Sequence, residues 1–206
     1  MQAIDYTEAY LPEDRTMQVA RSLAEEVGLA PVAPGAGAAL RLLAAACAAR
    51  AVVEIGTGTG VSGLWLLGGM LPGGVLTTID VEAEHQRMAR RIFLEAGYPA
   101  SRTRIITGRA LDVLPRLSDS AYDLLFVDGD REEHANCVGP ALRLLRPGGV
   151  LALGGALAGG RIADPVARDR PTVALRELAG TLREAEEWVP ALLPVGDGLL
   201  VAVKRP

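Results

Sequence analysis

Lysine is almost absent from this sequence of 206 residues, which has twenty arginines but only one lysine, Lys204, near its end. A Walker-type phosphate loop needs a lysine after its glycines, and Schiff-base catalysis needs a lysine inside the fold. Both chemistries are therefore excluded. The basic residues are interspersed with 25 acidic ones at a formal net charge of −4, so no surface for nucleic acid is predicted.

Cysteine is equally scarce. Cys47 and Cys137 form no CxxC pair and have no histidine close by in sequence, so both are expected to be buried, reduced thiols. The first residues, MQAIDYTEAYLPED, carry acidic groups where a secretory signal would carry positive charge and an apolar run. These features together predict a cytoplasmic protein.

A stretch without charge runs from residue 55 to 79 and is long enough to cross a bilayer. It contains eight glycines and the breaker Pro72-Gly73-Gly74. A strand end, a loop, a helix and a turn account for that content better than a membrane helix does. No membrane span is expected.

The rest of the pattern predicts an α/β protein. Helices are expected over 13–28 and 36–49, the second one buried on most of its circumference. From residue 51, apolar runs typical of strands alternate with helical patterns, which predicts a parallel sheet covered on both faces. Gly196-Asp197-Gly198 joins two final strands as an antiparallel hairpin. The predicted strands are 51–56, 75–80, 103–107, 122–128, 149–154 and two within 189–203; the predicted helices that alternate with them are 61–70, 83–96, 110–117, 132–145 and 171–187.

We therefore expect one domain over 1–206, with no linker long enough to divide it. In it, the helices of residues 1–50 pack on or cap a site that is built by the α/β core of 51–206.

A glycine-rich turn follows the first core strand, with Gly56, Gly58 and Gly60 behind Glu54. Glycine lets the backbone approach a ligand closely. A nicotinamide-binding turn would need glycine at position 61, which is valine. Asp80 ends the second strand, where a carboxylate can accept both hydroxyls of a ribose.

Asp128 ends the fourth strand, so acidic groups surround one crevice at the carboxyl edge of the sheet. Taken singly, these features also fit a tight turn and solvated carboxylates without a ligand. Taken together, and with no cluster of basic groups, they favour a cationic ligand that carries a ribose. S-adenosylmethionine fits that description.

At this point the sequence resembles the class I methyltransferases, and within them the bacterial O-methyltransferases similar to catechol and caffeoyl-CoA O-methyltransferases. The resemblance covers about residues 6 to 203. It is carried by the phrases VVEIGTGTGVSGLWL, GVLTTIDVEAEHQRMAR, RIITGRALDVLPRL, YDLLFVDGD, ALRLLRPGGVL and ALLPVGDGLLVAV. It implies a Rossmann-like sandwich with a seven-stranded, mostly parallel sheet, S-adenosylmethionine as cofactor, a small hydroxylated acceptor and a homodimer.

The resemblance also implies roles for particular residues. The methionine end of the cofactor would be lined by Glu54, Gly56, Thr57 and Ser62, with Asp130 nearby. Asp80 and Val81 would hold the ribose and adenosine, Ala110 would meet the adenine, and Asp128 would lie near the acceptor. Val32 would pack on the cofactor. A helix N-cap remains an alternative for Ser62, and an ordinary core position remains one for Val32.

Metal-dependent relatives place a divalent cation between the first aspartate of the FVDAD-like motif, here Asp128, and an Asp-Asn pair after the fifth strand. This sequence has Gly154-Gly155 at those positions, which offer no side-chain oxygen, and a hard cation needs several oxygen ligands. We expect metal use to be weak or absent. Arg131 replaces the family's lysine; it can orient an acceptor or bind an anion, but its pKa above 12 prevents it from acting as a base.

Other candidate side chains are assigned structural or surface roles. His134 could act as a base if its helix faced the pocket, but its polar neighbours favour a solvent-facing position. His85 and the arginines 87, 90 and 91 are expected on a solvated helix face, and Trp65 in the core.

Two functions from different classes follow. The first is an S-adenosylmethionine-dependent O-methyltransferase that acts on a small, phenolic hydroxyl. The second is a protein that keeps the adenosyl site, has lost catalysis and serves in sensing or scaffolding. A nicotinamide oxidoreductase is disfavoured by Val61 and the terminal hairpin.

Overall fold

The computed structural model describes residues 2–129, 131 and 133–206, without the side chain of Gln2. The helices are α1 (Gln2–Ala9), α2 (Arg15–Glu26), α3 (Pro34–Ala46), α4 (Val61–Gly69), α5 (Ala83–Glu95), α6 (Ala110–Val113), α7 (His134–Leu144) and α8 (Arg170–Glu184). The strands are β1 (Ala51–Ile55), β2 (Val75–Asp80), β3 (Thr103–Thr107), β4 (Tyr122–Val127), β5 (Leu145–Gly154), β6 (Trp188–Leu193) and β7 (Leu199–Lys204).

Seven strands form one sheet in the order β3-β2-β1-β4-β5-β7-β6. Strands β1 to β5 are parallel to one another, whereas β7 pairs antiparallel with both β5 and β6. The chain order reverses between β1 and β4, so their carboxyl ends border the crevice where such sheets bind ligands. The predicted fold class, a class I methyltransferase sandwich with a terminal hairpin, is confirmed.

Helices cover both faces of the sheet, as the continuous apolar strands require. On one face, α2, α3, α4 and α5 pack around the fully buried Trp65 and Phe93. On the other face, α6, α7 and α8 pack on alternate residues of the same strands. Trp65 is therefore a core residue, as predicted, and the arginines of α5 at positions 87, 90 and 91 are exposed.

The N-terminal helices differ from the sequence-based expectation. The pattern did not predict α1, whose Glu8 carboxylate accepts hydrogen bonds from the backbone N–H groups of Gly35 and Gly196 at 2.7 and 2.9 Å. Helix α3 buries one face rather than most of its circumference, and its Leu42 is 68% exposed. The reason is that α3 packs mainly against α4, with smaller contacts to α1 and β5, so the remaining side is open to solvent. Helix α4 is the one that is buried over almost its whole length.

The uncharged stretch from residue 55 to 79 forms the end of β1, the glycine turn, α4, a second turn and most of β2. Among the described residues, no helix combines the length and the apolar character needed to cross a membrane. Both cysteines are free thiols; Cys137 is buried as expected, whereas Cys47 is only partly buried.

Candidate functional site

Two adjoining cavities lie at the carboxyl edge of the sheet. The first, about 360 Å³, is bordered by the glycine turn, by Asp80 and Asp128, and by residues 29–31 of the connector between α2 and α3. The second, about 280 Å³, lies beside Gly108, Arg109 and Ala110. The lining of both cavities includes Gly56, Asp80, Val81 and Gly129, so one elongated ligand can occupy the two.

The glycine turn brings the backbone close to both cavities. Gly56 has φ +94°, and a Cβ on it would lie 3.0 Å from the carbonyl oxygen of Asp128. Gly60 has φ +96° and occupies the N-cap of α4. Only glycine takes this conformation without strain, so the turn itself requires these residues. The N-terminal N–H groups of α4 are thereby directed toward the crevice.

Asp80, at the end of the neighbouring strand β2, is hydrogen-bonded to the glycine turn. Its Oδ2 accepts a hydrogen bond from the N–H of Gly58 at 2.9 Å, and its Oδ1 accepts one from the N–H of Glu82 at 2.9 Å. Each carboxylate oxygen keeps lone pairs for further donors. This carboxylate is thus fixed in position and able to accept two ligand hydroxyls.

Glu54 lies fully buried beneath the turn and does not line either cavity. The hydroxyls of Ser62 and Thr78 each donate to its carboxylate at 2.6 Å. Because Thr78 gives its only proton to Glu54, the hydroxyl of Thr57, 2.7 Å away, donates to Thr78. A chain of hydrogen bonds therefore joins the buried charge to the turn.

The pKa of Glu54 is raised to about 7, chiefly by burial; the hydrogen bonds from Ser62 and Thr78 oppose this rise, and the carboxylates of Asp128 and Asp80 add to it. Burial also raises the pKa of Asp128 to about 7, against the lowering effect of the Arg131 guanidinium. Two carboxyl groups with perturbed pKa values beside one crevice are typical of a functional site.

A third cavity of about 200 Å³ adjoins the first one across Asp128, Ala30 and Pro31. Its charged side chains in the described part of the chain are Asp128, Arg131 and Asp197. Nη2 of Arg131 donates to Oδ2 of Asp197 at 2.6 Å. The remaining walls are small or apolar residues, so this cavity suits a compact molecule with one polar end.

The donor set beside Asp128 does not suit a hard cation. Gly154 and Gly155 line the third cavity without side-chain oxygens, and the Arg131 guanidinium lies against Gly155. Over residues 2–129, 131 and 133–206, no three His, Cys, Asp or Glu side chains are grouped so that they could hold a metal ion. The residues described beside Asp128 do not fit a divalent metal, since such an ion requires several oxygen ligands.

The structure brings most of the predicted cofactor residues together. Gly56, Thr57, Ser62, Asp80 and Val81 line the first cavity. Ala110 lines the second cavity, and Val32 lines the third cavity, where it packs against the core as well. Asp130, predicted near the methionine group, lies outside the described residues.

Several alternatives are settled by the local geometry. Ser62 is not the N-cap of α4, because Gly60 holds that position and the Ser62 hydroxyl donates to Glu54. The solvent-facing position expected for His134 is wrong: this side chain is 1% exposed. His85 lies on the surface of α5, partly buried, but its side chain also borders the first cavity.

Val32 is the residue of the connector between α2 and α3 that was predicted to contact the cofactor; the roles of its neighbours Ala30 and Pro31 were not predicted. These two neighbours border both the first and the third cavity. Arg21 holds the connector by donating to the carbonyl of Val32 at 2.8 Å, and Thr59 of the glycine turn donates to the carbonyl of Ala20 at 2.7 Å. The sequence indicated this only through the proline-containing segment APVAP at 30–34, because irregular backbone beside a core often carries binding residues.

The chain is similar to known proteins over almost its whole length. The chain is 50% identical over 199 residues to "Probable O-methyltransferase Rv1220c" of Mycobacterium tuberculosis (strain ATCC 25618 / H37Rv), covering 97% of this chain and 89% of the relative. A crystal structure from Corynebacterium glutamicum superimposes with a TM-score of 0.92 at 37% identity, covering 100% of this chain and 96% of the other.

A second structure, the O-methyltransferase TomG from Streptomyces achromogenes, involved in tomaymycin synthesis and in complex with S-adenosylmethionine, gives a TM-score of 0.87 at 29% identity. The alignment covers 100% of this chain and 96% of TomG. The family model described as O-methyltransferase matches residues 5–205. This protein therefore belongs to the O-methyltransferase family.

Proposed function

We propose that this protein is an S-adenosylmethionine-dependent O-methyltransferase that methylates a hydroxyl of a small phenolic molecule without a divalent metal. The observation that carries the proposal is the position of Asp128, whose side chain borders both the cavity of the glycine turn and the third cavity. A methyl donor in the cavity of the glycine turn and a methyl acceptor in the third cavity would both lie beside this carboxylate.

The residues of the first two cavities fit the cofactor. Asp80 accepts the ribose hydroxyls, Val81 and Ala110 contact the adenosine, and the glycine turn receives the methionine end. The carboxylates of Glu54, Asp80 and Asp128 provide the negative charge that a sulfonium and an ammonium group require. Bound S-adenosylmethionine supplies an electrophilic methyl carbon, to which the acceptor oxygen bonds in line as the sulfur retains the electrons of its broken bond.

Activation of the acceptor is assigned to Asp128. In its ionised form this carboxylate accepts the proton of the acceptor hydroxyl, and its pKa of about 7 makes it a stronger base than an ordinary aspartate. A phenol, with a pKa near 10 in water, loses its proton to such a base far more readily than an alcohol does. The raised pKa therefore supports a phenolic acceptor.

The test combines calorimetry with a panel of phenols, catechols and flavonoids assayed with labelled S-adenosylmethionine, with and without EDTA and magnesium. We expect binding of the donor and turnover that neither addition changes. Loss of turnover in EDTA, restored by magnesium, would contradict the absence of a metal. No binding of the donor at millimolar concentration would contradict the function itself.

Asp80→Ala provides a matched test of the donor site. Removing the carboxylate that accepts the ribose hydroxyls is expected to weaken S-adenosylmethionine binding by about 100-fold, because two charge-assisted hydrogen bonds are lost. Asp80→Asn keeps an acceptor oxygen for the Gly58 N–H and should lose less. Calorimetry of both variants against wild type measures the difference; equal affinities in all three would contradict the assignment of Asp80.

The raised pKa of Glu54 leads us to expect opposite effects of pH on the stability of the protein and on donor binding. Because this pKa is higher in the folded protein than the ordinary 4.5, the ligand-free protein is expected to lose stability as the pH rises from about 4.5 to 7. The same ionisation favours a cationic ligand, so donor affinity should rise through pH 7. Glu54→Gln should reduce the stability loss and lower donor affinity about tenfold, the equivalent of one pKa unit.

Thermal denaturation between pH 5 and 8 and calorimetry at pH 8 measure these two effects of Glu54→Gln. Glutamine has the shape of glutamate, so packing beneath the glycine turn is preserved. An unchanged donor affinity at pH 8 would show that the Glu54 charge does not act on the ligand.

The second candidate is a protein that binds the adenosyl group without catalysis. The observation in its favour is the pair Gly154-Gly155, which offers no side-chain oxygen where the resemblance implies an Asp-Asn pair. Tight donor binding without turnover over the whole panel would support it. The homodimer, the cytoplasmic location and the single domain over 1–206 stay predictions; gel filtration with light scattering tests the first of them.

A further inference from the structure

Arg131 is held at the polar end of the third cavity. Its side chain is 41% exposed and forms an ion pair with Asp197, which is 37% exposed and belongs to the turn between β6 and β7. The Gly159 N–H donates to the other oxygen of Asp197 at 2.6 Å, so the counter-ion is itself anchored. The guanidinium is therefore positioned from a loop that is distant in sequence.

Glycine at position 155 makes room for the guanidinium. A Cβ there would lie 2.8 Å from Nε and 2.9 Å from Nη2 of Arg131. At the adjacent Gly154, a Cβ would lie 2.5 Å from Oδ1 of Asp128. The absence of two side chains thus allows a cation and a carboxylate to lie side by side against the end of β5.

Arg131 has more N–H groups than its ion pair with Asp197 uses. A guanidinium has five N–H donors, and the hydrogen bond to Asp197 uses one of them. The other walls of the cavity include Ala30, Pro31, Ala33 and Ala36, which offer no side-chain hydrogen bond to a ligand. Among the described lining residues, Arg131 is the one cation that a ligand oxygen between these walls can meet.

We infer that Arg131 binds the phenolate oxygen of the acceptor and stabilises its negative charge. The inference rests on the proposed function and specifies its acceptor: a compact phenol that reacts as the anion. Asp128 takes the proton, and the fixed positive charge of Arg131 favours the oxyanion that is left.

Kinetics of Arg131→Gln test this role. Loss of one preorganised donor to an oxyanion costs about 100-fold or more in rate. We therefore expect kcat/KM to fall about 100-fold with the best acceptor of the panel, and the pH profile of kcat/KM to move to higher pH. Arg131→Lys keeps the charge and should restore part of the activity. Donor affinity should remain within about twofold, since Arg131 does not line the first two cavities.

A binding measurement gives a readout that does not depend on turnover. The probe is 4-nitrophenol, whose phenolate absorbs visible light, titrated with pH in the presence of saturating S-adenosylhomocysteine. The charged groups that border the cavity in the described chain are Asp128, Arg131 and Asp197. We expect the bound pKa of the phenol to rise by about one unit or more in Arg131→Gln, a tenfold loss of preference for the anion.

Two glycines of the same region provide a matched pair. Gly155 and Gly160 both have positive φ, +62° and +84°, so alanine strains the backbone at either position. Only at Gly155 would the added methyl group displace Arg131, because nothing lies within 4 Å of a Cβ on Gly160. Gly155→Ala should reproduce the kinetic effects of Arg131→Gln, whereas Gly160→Ala should keep the wild-type pH profile.

The outcomes separate this inference from the proposed function. If wild type binds the donor and methylates a phenol, but Arg131→Gln leaves kcat/KM and the bound pKa unchanged, the role of Arg131 is overturned while the function stands. Failure of 4-nitrophenol to bind wild type also overturns it. If wild type binds the donor but methylates no phenol of the panel, the proposed function is overturned, and the role of Arg131 falls with it.

Discussion

Gly69→Ala is expected to lower the free energy of unfolding by about 3 kcal/mol, with a fall in Tm of roughly 6–12 °C. Gly69 is the last residue of α4, and a Cβ on it would lie 2.1 Å from the carbonyl oxygen of Arg41 in α3. The contact is with backbone, which cannot rotate away as a side chain can. The two helices would have to separate, and α3 carries the N-terminal region against the core.

The adjacent Gly68 supplies the control. It is exposed in the same helix, and the nearest atom to a Cβ there is 3.8 Å away. Alanine favours helix over glycine by up to about 1 kcal/mol, so Gly68→Ala should be neutral or stabilising. Chemical and thermal denaturation of both variants measure the difference. Equal stability of the two would show that α3 moves to accommodate the methyl group.

Asp128→Asn is expected to reduce kcat by about 10²- to 10⁴-fold, the range over which a positioned base contributes. Asparagine has the shape of aspartate but does not accept the proton of the acceptor hydroxyl at neutral pH. Because the pKa of Asp128 is about 7, wild-type activity should rise as the pH increases through 7, and the variant should lose that rise.

Single-turnover rates with saturating donor, measured between pH 6 and 9, check this prediction. Asp164→Asn serves as control, since Asp164 is exposed and the retained side-chain oxygen can still accept from the Val166 N–H at 3.0 Å. A variant at position 128 with unchanged rate and pH profile would exclude Asp128 as the proton acceptor. Donor affinity is expected to change by less than the rate does.

The fold was largely predictable because its elements carry strong local patterns. The bounds of β2 and β3 match the predicted 75–80 and 103–107, since each is a short apolar run between turn residues. Helix α1 was missed because it is short and exposed, and its Glu8 accepts hydrogen bonds from backbone groups 27 and 188 positions away in the sequence. Contacts between residues so far apart leave no periodic pattern in the sequence.

His134 shows how a composition-based expectation fails. Its neighbours in sequence are polar, yet His134, Cys137, Ala141 and Leu144 are the buried residues of α7. Their spacing of three, four and three residues marks one face of a helix, and that spacing was the informative pattern. The identity of adjacent residues says little about burial, because adjacent positions on a helix point in different directions.

The two halves of the site also differ in how they are assembled. The turn and the carboxylates proposed to hold the donor come mainly from the continuous segment 54–82, which joins β1 to β2. The third cavity instead takes its described walls from residues 30–33 and 36, from Asp128 and Arg131, and from residues 154–155 and 197–199. Substitutions in those dispersed segments can therefore change which acceptor is methylated while the continuous segment that holds the methyl donor stays unaltered.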